Sequence, residues 1–190
     1  MIRIVLAAIL GGTLMFVWGA ISHRVLPFDR EALKPVPDEA ALLATLGHDL
    51  PAPGMYYFPW FDMSGEATPA AQQAWQQKLA SGPSGLLVYR PNGGEAMSPR
   101  QLVGEFVSNV LASLLGALVL VQLAGSYARR ALSIAAIGLA AWLSISVSQW
   151  TWYGFSTPFL LGDLADQLGG WLLAGLGMAA LIRPRRVRSF

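Results

Sequence analysis

Four stretches of the chain are almost free of charge over lengths that a membrane-crossing helix requires. They cover 4–22, 106–127, 131–155 and 158–182, the last carrying Asp163 and Asp166 near its start. A hydrocarbon core of about 30 Å takes roughly 20 helical residues. The first stretch is too long for a signal-peptide core and has no small-residue cleavage motif before His23, so it reads as a retained anchor.

Between the first two stretches the pattern breaks into short blocks. PDEAALLATLG (37–47) predicts a helix with Asp38 as N-cap, a stripe of Leu42, Leu43 and Leu46, and Gly47 as its stop. GMYYFPWF (54–61) predicts a strand, and GLLVYRP (85–91) a second one that ends before the turn Asn92-Gly93-Gly94. TPAAQQAWQQKLASG (68–82) lies between them as a helix, with Thr68 as N-cap and Pro69 in its first turn. Ser98, Pro99 and Gln101 then form a capping box, which starts the second long helix before its apolar run begins. The expected fold is a membrane all-α protein: a four-helix transmembrane bundle with a small α+β extracytoplasmic domain between spans 1 and 2. Its segments are 1–27 (span 1), 28–98 (the outer domain), 99–127, 131–155 and 158–183 (spans 2 to 4), and a basic tail, 184–190.

Composition agrees with that pattern. Only 13% of residues are charged and mean hydropathy is +0.48, where a soluble domain carries about 25% charged residues. The absence of cysteine excludes disulfides, thiolate metal sites and cysteine nucleophiles. Arg3, Arg129, Arg130, Arg183, Arg185, Arg186 and Arg188 fall on one side of the spans without an acid among them. The acids from Asp29 to Glu95 fall on the other side, so the positive-inside rule puts both termini in the cytoplasm. The expectation from charge is a membrane crossed several times with 28–98 extracytoplasmic, which in a Gram-negative cell means an inner membrane with 28–98 periplasmic. The basic tail is too short for nucleic acid and reads as a topology anchor against anionic membrane lipids.

Candidate chemistry gathers at one depth. At 1.5 Å per residue, His23 lies about 30 Å from Arg3, with Asp163 and Asn109 at a similar height and Asp166 roughly 5 Å further in. Glu105 stands about one turn beyond. On the last span Asp163, Asp166, Gln167, Gly170, Ala174 and Gly177 share an arc of about 100°, so the carboxylates turn toward the other helices. His23, Glu105, Asp163 and Asp166 are the candidate catalytic or metal-binding residues, suited by type to a divalent cation or a proton relay. The spacing lacks H-E-x-x-H and paired histidines. The favoured reading is structural, with His23 and Arg24 neutralising Asp163 and Asp166. His48 reads as a surface histidine.

A second cluster is aromatic: Trp150, Trp152, Tyr153 and Phe155. An interfacial belt explains it, and a groove for bound lipid or quinone is the alternative. Trp18, Gly170, Trp171 and Ala174 join the candidates for a lipid or partner interface, because small-residue stripes let helices approach closely.

Two segments carry a family resemblance: FVWGAISHRVLPF (16–28), and WTWYGFSTPF (150–159) followed by DLADQLGGWLLAGLGMAALI (163–182), with PGMYYFP (53–59) as a lesser third. On these the chain resembles a family of small, uncharacterised four-span bacterial inner-membrane proteins. The resemblance implies the four-span topology and marks Trp18, Trp152, Gly154, Phe155, Asp166, Gly170 and Trp171 as characteristic positions. It implies no activity. The order of elements is also similar to claudin-like proteins, whose cysteines are absent here. The favoured function is a non-catalytic accessory or assembly subunit that packs against a larger membrane-protein complex. The alternatives are a membrane enzyme or small transporter using the His/carboxylate cluster, and a lipid- or quinone-binding protein.

Overall fold

The computed structural model describes residues 1–26, 31–62, 64–65 and 68–184. The tail arginines Arg185, Arg186 and Arg188, and Pro27 at the end of the first span, lie outside the described residues. Residues 1–34 and 95–190 form one compact unit and 35–94 another. Residues 31–34 thus belong with the long helices, and the second unit is narrower than the outer domain expected from the sequence.

The smaller unit contains α2 (Glu39–Asp49), β1 (Gly54–Phe58), α3 (Pro69–Ser81) and β2 (Gly85–Tyr89). Both expected caps are present. Asp38 accepts from the Ala41 N–H at 3.0 Å and Thr68 from the Ala71 N–H at 3.2 Å. Gly47 does not stop α2, which runs to Asp49. The strands pair antiparallel, Gly54 opposite Tyr89 and Phe58 opposite Gly85. Trp75 on α3 donates to the Pro59 carbonyl at 3.0 Å, and its ring lies 5.3 Å from that of Phe61. No described residue of 35–94 is fully buried.

The larger unit is built from α1 (Ile2–Val25), α4 (Pro99–Gln122), α5 (Tyr127–Ala141), a π turn (Trp142–Ser146), α6 (Val147–Tyr153) and α7 (Thr157–Leu181). Counting α5, the π turn and α6 as one span, four helices are long and apolar enough to cross a membrane. The Ser98 capping box forms as the sequence requires: the Gln101 side chain accepts from the Ser98 N–H at 2.8 Å, and Ser98 Oγ from the Gln101 N–H at 3.3 Å.

The third span departs from expectation at both ends. Ser126 caps it by accepting from the Arg129 N–H at 3.3 Å, so helix starts at Tyr127 and not at 131. It ends at Tyr153, where Gly154 takes a left-handed φ of 71° that favours glycine. Arg129 and Arg130 therefore occupy a first helical turn and not a connecting loop.

Helix order across the bundle is α4, α1, α7, α5, with α4 and α5 meeting at few points. Close approach follows from missing side chains. A Cβ on Gly12 would lie 2.6 Å from the Val110 Cα, and one on Gly138 2.5 Å from the Trp171 ring. A Cβ on Gly169 would lie 2.4 Å from the ring of Trp18. The core lies in one half of the bundle, around Ala7, Ala117, Leu120, Ile134, Ala174 and Met178.

That half is closed by Arg130, which is only 1% exposed. Its Nη1 donates to the Ile182 carbonyl at 2.8 Å and its Nη2 to the Leu120 carbonyl at 3.3 Å. Both acceptors lie at the C-terminal ends of helices, where the carbonyls carry the negative end of the dipole; Leu120 also accepts from the Leu123 N–H at 3.2 Å. One guanidinium thus caps α4 and α7 together. Its charge pattern suggests a topology anchor at a loop, and its burial gives it a packing role as well.

Two stability outcomes follow, both measurable by thermal unfolding in detergent. Arg130→Met leaves the Ile182 carbonyl without its side-chain donor, at about 1–3 kcal/mol, and the Leu120 carbonyl with the Leu123 N–H alone, so melting falls. Arg130→Lys recovers only part, since an ammonium lacks the fork that reaches both. Gly169→Ala costs about 1–3 kcal/mol through overpacking against Trp18, whereas Gly104→Ala, with nothing within 4 Å of the added Cβ, does not lower melting. Wild-type melting in Arg130→Met or Gly169→Ala contradicts these assignments.

Candidate functional site

The opposite half of the bundle carries the polar residues. The last turns of α1 present Trp18, Ser22 and His23. The early turns of α7 present Asp163, Asp166 and Gln167, and those of α4 present Glu105 and Asn109. The Trp18 indole N–H donates to the Asp166 carbonyl oxygen at 3.1 Å while its ring lies over Gly169. This contact fixes where α1 sits along α7.

The π turn supplies a second tie. Widening the helix by one residue per turn breaks the regular register, and here it accompanies two contacts to α7. Ser146, 7% exposed, donates its hydroxyl to Asp163 Oδ2. Trp142 donates its indole N–H to the Leu160 carbonyl at 2.9 Å. Asp163 is therefore satisfied by a serine, not by a cation.

Asp166 is not satisfied in the same way. Its Oδ1 is fully buried and has no hydrogen-bond partner. The rest of the carboxylate takes a side-chain hydrogen bond from Ser22, and His23, Asp163 and Glu105 lie within electrostatic range of it. His23 Nδ1 sits 3.0 Å from the Gly19 carbonyl, which can only accept. The Nδ1 proton is therefore committed there, and Nε2 is left for other partners. Asn109 Nδ2 donates to Glu105 Oε1 at 3.1 Å, holding that carboxylate against its own helix.

The expected neutralisation by His23 and Arg24 does not form: among the described residues no ion pair joins either of them to Asp163, Asp166 or Glu105. Arg24 turns aside, its Nη2 3.1 Å from Met97 Sδ. Nor do three or more His, Asp or Glu side chains among the described residues come together in a way that could hold a metal ion. His23, Glu105, Asp163 and Asp166 share one end of the bundle without forming a coordination set.

Two cavities flank Asp166. The smaller, about 90 Å³, is lined by Ser22, His23, Ala32, Phe159, Gly162, Asp163 and Asp166. The larger is a groove of about 700 Å³ where α4 and α5 stand apart, with α1 and α7 behind it. His23, Glu105, Asn109, Asp166 and Gln167 supply its polar part, and Met15, Phe16, Trp18, Ala112, Ile145 and Trp171 its apolar part.

The candidate interface residues separate into two sets. Trp150, Trp152 and Tyr153 are exposed, 43%, 75% and 49% respectively, as a belt or contact surface requires. Phe155 is half-buried with its ring 5.1 Å from Phe159. Gly170, Trp171 and Ala174 instead lie buried inside the bundle, and Trp18 is committed to α7. The small-residue stripe is used in packing within the chain, and of these four Trp18, Gly170 and Trp171 also line the groove. The groove itself escaped sequence reasoning, and so did Ser146 and the buried packing role of Arg130. The Trp/Gly content of α7 is the one signal that points toward it.

Four long apolar helices around a packed core define a helical multi-pass membrane protein. No family model, curated protein or solved structure matches the chain.

The Ser146–Asp163 tie is testable by a mutant cycle. Ser146→Ala leaves a carboxylate oxygen without its donor, about 1–3 kcal/mol. Asp163→Asn combined with it costs less than the two single changes added together, since they share one contact. Strict additivity in thermal unfolding contradicts a direct bond.

Proposed function

We propose that this protein sits in a bacterial inner membrane and binds an amphiphile, a lipid or a lipid-like quinone, in the groove between α4 and α5. The supporting observation is the groove: about 700 Å³, polar and apolar by turns, between two helices that hardly touch. Small-molecule sites usually measure about 300–1,000 Å³ and are mostly apolar with a few placed polar groups. A void of this kind within a span is filled by acyl chain or ligand, because leaving its lining without contacts forfeits dispersion energy. The lipid-binding reading moves accordingly, from the aromatic cluster at 150–155 to the groove floored by Trp18 and Trp171.

Native mass spectrometry after mild extraction tests this. The wild type retains a lipid-mass adduct, and Ala112→Trp, which fills the groove, loses it. A wild type that retains no adduct removes the proposal.

The accessory-subunit reading has separate support. No described residue of 35–94 is fully buried, and Met55, Trp60 and Val88 are 64–68% exposed, an apolar surface suited to a protein partner. A stoichiometric partner that co-purifies with the wild type and is lost with Trp60→Ser supports it. Migration of the wild type as a lone chain opposes it.

A further inference from the structure

We infer that the groove selects phospholipids bearing a primary ammonium headgroup, the phosphatidylethanolamine class. This rests on the amphiphile reading above and adds the headgroup chemistry.

The argument is one of charge and donor complementarity. The groove lining contains two carboxylates, Glu105 and Asp166, and no lysine or arginine. Neither acid has an ion-pair partner among the described residues. Glu105 receives one N–H from Asn109, and the Asp166 carboxylate one hydrogen bond from Ser22, so each acid lining the groove keeps acceptor capacity for a further donor. A partly desolvated carboxylate in that condition costs free energy until a donor or a cation reaches it. His23 spends its Nδ1 on Gly19, and Arg24 spends Nη2 on Met97. The missing donor therefore comes from the occupant.

Three headgroup types can be compared on this basis. Phosphatidylglycerol shares the phosphate of the other two but brings no cation to offset the two carboxylates, so its net negative charge disfavours it. A quaternary ammonium carries the right charge, and Trp18 and Phe16 supply rings for it. It has no N–H, however, and so hydrogen-bonds neither Asp166 nor Glu105. A primary ammonium offers three N–H donors in a compact cation, enough for Asp166 and Glu105 together. The same lipid's phosphate then needs a cation near the mouth. Arg24 stands there, against Met97, which lines the groove. The acyl chains continue along Met15, Ala112, Ile145 and Trp171. Zwitterion and groove match end to end.

The experiment equilibrates the full chain in mild detergent with acyl-matched phosphatidylethanolamine, its mono- and dimethyl derivatives, phosphatidylcholine and phosphatidylglycerol. Native mass spectrometry counts the bound species. The expected result is at least about fivefold more phosphatidylethanolamine than phosphatidylcholine or phosphatidylglycerol, the scale of one charged hydrogen bond, with retention falling at each methylation. Glu105→Gln and Asp166→Asn reduce that preference toward parity while lipid continues to bind. Glu105 is exposed on α4, so its variant reads the site even where Asp166→Asn fails to fold, and the methylation series needs no variant. Equal retention of all headgroups overturns this inference and leaves the groove an amphiphile site. No retained lipid, or a stoichiometric protein chain that excludes lipid from the groove, overturns both.

Discussion

Lipid tails are as apolar as leucine, so helices in a membrane gain little by hiding apolar surface from their surroundings. They associate through close packing and hydrogen bonds. In this bundle α7 meets that requirement for two neighbours at once. Its glycines admit the Trp18 ring at Gly169, and its own Trp171 enters the space left at Gly138 of α5. The indoles act as spacers whose seats are absent side chains. They bring α1 and α5 against α7, while Gly12 brings α4 against α1. The order α4, α1, α7, α5 leaves its two outer members without a shared packed surface, and the groove is the result.

Hydrogen bonding follows the same helix. Carbonyl oxygens along α7 and at its C-cap accept from side chains of the other spans. Trp142 donates to Leu160, Trp18 to Asp166, Tyr127 to Leu176, and Arg130 to Ile182. A helical carbonyl has a second lone pair to offer, and a donor buried among apolar residues needs an acceptor. Pairing the two satisfies indole and phenol and two nitrogens of the guanidinium, whose Nε stays buried without a partner, at no cost to the backbone ladder. It also fixes the height of each neighbour along α7, which apolar contact alone leaves free to slide.

The four long helices were legible because their length and charge deficit are one-dimensional properties. So were Asp38, Thr68 and Ser98, whose capping geometry involves residues only three apart. Arg130 was misread in part because charge pattern reports which side of a membrane a residue prefers and says nothing of what packs over it. The wheel chose Gly170 on the inward arc, yet Gly169, one residue and 100° away, takes the closer contact, since Trp18 reaches around the helix side. The π turn had no local signature. It belongs to the register between Ser146 and Asp163, which comes from tertiary packing. His23, Glu105, Asp163 and Asp166 do lie at one end of the bundle, while the ion pairs expected there are not made among the described residues. His23 and Arg24 found partners on their own helix and on Met97 instead of the expected aspartates.

The two halves of the bundle divide the work between them. Most fully buried side chains, Leu120, Ile134, Met178 and Arg130 among them, lie in the half closed by the Arg130 guanidinium. The half that carries His23, Glu105 and Asp166 holds both cavities and an unsatisfied carboxylate oxygen. A bundle packed equally at both ends has no room for an occupant, and one open at both ends lacks the contacts to stay assembled. Closing one end with a doubly bonded arginine and glycine-seated packing lets the other remain open at a tolerable cost. Local deficits of this kind persist where the remaining structure holds the helices in place. The carboxylates of Glu105 and Asp166 and the groove they line are then two aspects of one arrangement: α4 and α5 are held apart at the end where the acidic side chains gather.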